Sequence, residues 1–124
     1  MASYSDCGVL QQDICVKRGD RKTHRFFLKD SAGVLVNVTG LTAKLSVNPN
    51  KTPDDETEQL FEIAGVPASP TTLGYFDFKP SAVQALQVPD VYFYDVQVTD
   101  GAATPITISE GQWTVEADIT DAGV

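Results

Sequence analysis

The sequence predicts an all-β protein, an antiparallel β-sandwich of seven or eight short strands with one helical turn. Three observations predict it. Val, Thr and Ile make up 31 of the 124 residues, against nine Leu and Met, and β-branched side chains fit a pleated, half-buried surface while losing rotamer freedom in a helix. Apolar and polar residues alternate over several short runs, the period of a strand with one buried face. Turn signals recur about every 8–12 residues, the spacing of a sandwich or barrel.

Residues 1–11 read as an N-terminal arm, polar but carrying Tyr4, Val9 and Leu10, which suit a segment that orders on a neighbour. The sandwich itself is expected over residues 12–120, with 121–124 a tail and no boundary inside. The first strand is about Gln12–Val16. Lys17-Arg18-Gly19-Asp20 is a turn, since Gly supplies positive φ and Asp bonds locally. The second strand is Thr23–Leu28, with His24, Phe26 and Leu28 on one face. Asp30-Ser31-Ala32-Gly33 turns the chain back toward an extended Val34–Val38. The third main strand is Thr42–Val47, where Leu41, Ala43, Leu45 and Val47 alternate with Thr42, Lys44 and Ser46.

Residues 48–58 form a polar loop whose two prolines and four acids exclude a central strand. Gln59–Ala64 is the next strand and Gly65–Leu73 a loop. Gly74–Phe78 follows, with Phe76 and Phe78 on one face. Ser81–Leu86 is the helical turn, capped by Ser81, with Val83 and Leu86 three apart. Val91–Thr99 is the longest strand, Tyr92, Tyr94, Val96 and Val98 sharing a face. Pro105–Ser109 is a short strand, Glu110-Gly111 a turn, and Gln112–Ile119 the last strand with Trp113, Val115, Ala117 and Ile119 inward. The helical turn followed by Asp90-Val91-Tyr92 matches the corner of immunoglobulin-like sandwiches, where a Tyr hydroxyl bonds back to upstream backbone. The fold is therefore Ig-like, without the Cys…Trp…Cys framework of antibody domains. Its core is expected at Phe26, Leu28, Leu45, Phe76, Phe78, Tyr92, Tyr94, Val96, Trp113 and Val115.

Charge is unevenly placed. The net charge is −8, which repels phosphate and argues against a nucleic-acid partner. Yet Lys17, Arg18, Arg21, Lys22, Arg25 and Lys29 cluster early, and no Lys or Arg follows Lys79. Such patches either neutralise each other within the fold or guide assembly between copies; Lys17, Arg18, Arg21, Lys22 and Arg25, with Tyr4, Val9 and Leu10, are the candidate assembly contacts. No apolar run approaches a bilayer span, so no membrane partner is expected. Met1–Asp6 lacks the basic-then-apolar pattern of a secretory signal.

The candidate chemical sites are thin. Cys7, Cys15 and the single His24 do not make a metal site; both thiols are expected free, Cys15 as a small half-buried hydrophobe. Arg18-Gly19-Asp20 spells an adhesion tripeptide but is also what a turn uses. Asn37-Val38-Thr39 and Asn50-Lys51-Thr52 match the glycosylation pattern. The run Asp54, Asp55, Glu56, Glu58 lacks the ligand spacing of a calcium loop. A nucleophile needs a base and an orienting group, and neither a nucleophile elbow nor a phosphate loop occurs. No catalytic residue, cofactor or metal is expected.

Several segments together resemble a family of tailed-phage proteins, small Ig-like domains related to the N-terminal domain of the baseplate upper protein. The resemblance rests on Val16–Asp20, Phe26-Phe27-Leu28-Lys29-Asp30-Ser31-Ala32-Gly33, Val38-Thr39-Gly40-Leu41-Thr42-Ala43, Ser81–Leu86, Tyr92–Val98 and Gly111–Thr120. It covers about residues 12–120, departing at Pro89-Asp90, where the family commonly has Gly. It implies a non-enzymatic virion protein, made in the host cytoplasm, homo-oligomeric in the particle and bound to other virion structural proteins. Tail or baseplate component and adaptor come first; capsid decoration on the head surface is the alternative. A host-surface receptor or carbohydrate module is a third reading, with Phe27, Tyr75 and Phe93 as sugar-stacking aromatics.

Overall fold

The computed structural model describes residues 3–4, 10–30, 32–49, 59–100 and 104–117. Among these residues ten strands fall into two sheets. β1 (Ser3–Tyr4), β2 (Leu10–Gln11), β3 (Ile14–Lys17), β5 (Thr42–Asn48), β6 (Phe61–Ala64), β9 (Asp90–Thr99) and β10 (Pro105–Glu116) form a seven-stranded sheet; β4 (His24–Phe27), β7 (Val66–Pro67) and β8 (Tyr75–Phe78) form a three-stranded one. The large sheet runs β1-β2-β10-β9-β5-β6, with β3 also on β10, and the small one β4-β8-β7. Their inner faces enclose one core, an Ig-like sandwich.

β9 is the spine. Tyr92, Tyr94, Val96 and Val98 are buried, and the strand pairs antiparallel with both β5 and β10. The Tyr92 hydroxyl donates to the Val88 carbonyl at 2.6 Å, closing the expected corner. The inner faces meet at Phe26, Phe76 and Phe78 from the small sheet and Leu45, Val47, Ile63, Val96, Trp113 and Val115 from the large one. Of the expected core residues, Leu28 is half-buried and packs against this cluster; the others are buried.

The last strand differs from its reading. Pro105 to Glu116 is one strand, with a register irregularity between Thr107 and Ser109 and no turn at Glu110-Gly111. Gly111 is there for space: a Cβ at this position would collide with the backbone carbonyl of Gln12. Ala117 is exposed rather than inward, and Ile119 lies outside the described residues.

The N-terminal segment also differs. Leu10–Gln11 pairs in parallel with Ser109–Glu110, Ser3–Tyr4 pairs with β2, and Ile14–Lys17 runs parallel to Trp113–Glu116. The described part of the expected arm is thus bound to the chain's own sheet, and two pairings are parallel in an otherwise antiparallel fold. Tyr94 fastens this edge: its hydroxyl donates to the Gln12 carbonyl at 2.5 Å and meets Ser109 Oγ at 3.2 Å. Burial pushes that phenol up to about 12.

The expected loop at 65–73 carries β7 and a short 3-10 turn, Thr71–Leu73. Between β6 and β7 the chain leaves one sheet for the other at Gly65. A Cβ there would sit 2.9 Å from the Phe78 ring and 3.2 Å from Ala43 Cβ, so only glycine passes. Pro67 is tolerated because β7 is an edge strand, where a missing N–H breaks no ladder bond.

Candidate functional site

The end of the sandwich where β3 stops and β9 starts is built from two connections, residues 18–23 and 79–89. They are tied together by the Gly19 N–H to Ala85 carbonyl bond at 2.7 Å and the Arg21 Nε to Pro80 carbonyl bond at 3.0 Å. Just ahead of a second 3-10 turn, Gln84–Leu86, Ser81 and Gln84 bond reciprocally: the Gln84 N–H donates to Ser81 Oγ at 3.2 Å and the Ser81 N–H to Gln84 Oε1 at 2.8 Å. Gln84 Nε2 then donates to the Glu62 carbonyl, anchoring the turn to β6. On this fixed connection the apolar side chains face outward. Val83 is 77% and Val88 70% exposed, with Leu86 and Val91 also exposed. Arg21, Lys22 and Lys79, all exposed, lie on the same two connections or at the mouth of them. Asp20 and Asp90, also exposed, stand among them, so the result is a group of exposed apolar side chains with mixed charge nearby on a tied-down surface.

These apolar residues were outside the sequence-predicted set. The sequence places Val83 and Leu86 three apart on a helical turn; the 3-10 turn Gln84–Leu86 is three residues long, too short to bury a face. The readable signal was Val83, Leu86 and Val88 on a connection bounded by Pro80 and Pro89, with Val91 just after it.

The predicted assembly residues separate. Lys17 Nζ pairs with Glu116 at 2.8 Å across the parallel ladder, and Arg25 makes two bonds to Asp77 at 2.8 and 3.0 Å. Arg25 also lies 3.7 Å over the Tyr75 ring. Both are therefore engaged within the chain, and early cations meet later acids at these two points. Arg21 is bonded to Pro80 as above, Lys22 is exposed, and Arg18 is half-buried. Leu10 is half-buried in β2, Tyr4 lies in β1, and Val9 lies outside the described residues.

The three aromatics proposed for sugar stacking divide. Phe27 and Tyr75 meet edge to face at 5.6 Å on the outer surface of the small sheet, whereas Phe93 belongs to β9 of the large one. Arg25 covers one face of Tyr75, leaving Phe27, 51% exposed, as the open ring. They do not form a common platform.

The other motifs have local explanations. The Gly19 of Arg18-Gly19-Asp20 has φ +95°, and its N–H is used by Ala85. Asn37 accepts from the Thr39 N–H and hydroxyl. Cys15 is exposed rather than half-buried, since it faces out of β3 beside Glu116. Desolvation, then the bond and charge of Glu116, push its thiol up, away from the reactive thiolate. His24 lies in the other sheet, against Trp113. On the outer face of the large sheet Asp95 and Glu110 stand opposite each other; burial, opposed by Lys44 and reinforced by Glu110, holds Asp95 above the usual range. Among the described residues no group of three or more His, Cys, Asp or Glu is placed to hold a metal ion. No helix among them is long and apolar enough to cross a membrane. Cys7, Asn50 and the run Asp54–Glu58 lie outside the described residues.

No protein-family model and no curated protein matches the chain. Among solved structures, extracellular domains 3–5 of Drosophila OTK are similar, with TM-score 0.38 and 16% identity over 86% of this chain and 32% of that one. The match thus spans about a third of that solved three-domain chain.

Proposed function

We propose that the protein is a non-enzymatic structural component of a tailed-phage virion, acting through protein–protein contacts in the tail, baseplate or an adaptor. The observation that carries the contact part is the set of exposed apolar side chains at Val83, Leu86, Val88 and Val91, on or next to a hydrogen-bonded connection, with exposed charged residues of both signs on or beside the same two connections. An apolar centre with a polar rim is the anatomy of a protein interface, and a connection tied down by five hydrogen bonds loses little freedom on docking. The virion context rests on the sequence resemblance. The partners are other virion structural proteins and further copies of the chain.

Copy number in purified particles, measured by quantitative mass spectrometry against the major capsid protein, tests this. A small fixed number set by tail symmetry supports a tail, baseplate or adaptor place. A number comparable with the capsid protein's moves the chain to head decoration. Absence from particles overturns the virion reading.

A further inference from the structure

We infer that the protein's one histidine and one tryptophan form a pH-sensitive latch between the two sheets: neutral His24 packs on Trp113, and protonation of the imidazole loosens that end of the sandwich. His24 opens β4, directly after the connection that carries Arg21 and Lys22, and pairs with Phe78 at the end of β8. Its ring meets Trp113 of the opposite sheet at 5.1 Å between centroids and 65° between planes. Trp113, 2% exposed, also takes the edges of Phe61 and Tyr94. His24, together with Phe26 against Tyr94 at 6.2 Å, thus joins the small sheet to an aromatic cluster centred on β10.

That contact suits a neutral ring. Its Nε2 is buried and has no hydrogen-bond partner among the described residues. An imidazolium carries N–H on both nitrogens, and a buried charged donor without an acceptor is costly. The neighbours across the ladder and on the facing sheet, Phe78 and Trp113, carry no charge; the charged group acting on the ring is Lys22, which opposes a second cation. Burial first, then Lys22, lowers its proton affinity from the ordinary 6.5. The unfolded chain therefore takes up the proton more readily than the folded one. Stability from this contact is full above about 6.5, falls as pH drops below it, and is lost once pH passes the folded-state midpoint. One proton changes the folded-to-unfolded ratio by at most about tenfold per pH unit between the two midpoints.

The sequence makes the test clean, since each ring is unique. Proton NMR of the imidazole resonance should give a midpoint below 6.5 in the folded protein. Trp113 emission should change with that same midpoint, and the change should vanish in His24→Gln. A midpoint at or above 6.5 overturns the inference; it is the result expected if the Trp113 π-face held an imidazolium. An identical emission titration in His24→Gln overturns it too. Should His24→Gln fail to fold, the wild-type NMR midpoint alone decides. None of these outcomes depends on the assembly reading.

Discussion

The two sheets hold the same core by different means. The large sheet spreads its burial over β5, β9 and β10, with Leu45, Val47, Val96, Val98 and Val115 beside the rings of Tyr92, Tyr94 and Trp113, and adds a long antiparallel ladder. The small sheet has strands of four, four and two residues and places Phe26, Phe76 and Phe78 on its inner face. Phe26 and Phe78 meet edge to face at 5.7 Å. A short strand cannot gather many backbone bonds, so its adhesion is concentrated in a few large rings, each burying far more area than a Val. The comparison predicts unequal sensitivity: single truncations should be severe in the small sheet and milder in the large one.

The largest effect should therefore come from Phe78→Ala, at about 3–5 kcal/mol in urea unfolding. Val98→Ala at the far end of β9 should cost about half that. Equal losses would break the comparison. Trp113→Ala should match Phe78→Ala, about 3–5 kcal/mol, because Trp113 is a buried ring touching both sheets.

Gly111→Ala tests the large sheet's edge. A methyl group there must displace Gln12 backbone, and we expect a loss of about 1–3 kcal/mol. Hydrogen exchange should show the loosening in Ile14–Lys17 before it shows in β9; protection unchanged in β3 would contradict the parallel pairing. Tyr92→Phe removes one hydrogen bond and should cost about 1 kcal/mol. Arg25→Ala should leave the thermal midpoint within experimental scatter, since the pair it makes with Asp77 is on the surface.

The sequence made the strands legible wherever burial was one-sided. In β5 and β9 the alternation of Ala43, Leu45 and Val47, and of Tyr92 to Val98, is the same fact as their facing the core. The corner at Tyr92 was legible because its acceptor, Val88, lies four residues away. Gly111 was misread because its reason lies nearly a hundred residues back, at Gln12, and a glycine needed for space looks locally like one needed for a turn. Gly65 hid the crossing between sheets in the same way. At the candidate interface, Val83 and Leu86 have helical spacing, but spacing states only that two side chains share a direction, not that anything lies there to cover them. Lys17 and Arg25 were legible as charges, whereas their partners Glu116 and Asp77 are set by register.

The most direct test of the assembly account is the double variant Val83→Asp, Val88→Asp. Both side chains are exposed, so its thermal midpoint should match the wild type's. The account predicts that particles assembled with this variant in place of the wild-type chain lack it or carry it at greatly reduced copy number. Incorporation at the wild-type copy number would contradict the claim that this end of the sandwich is the docking surface.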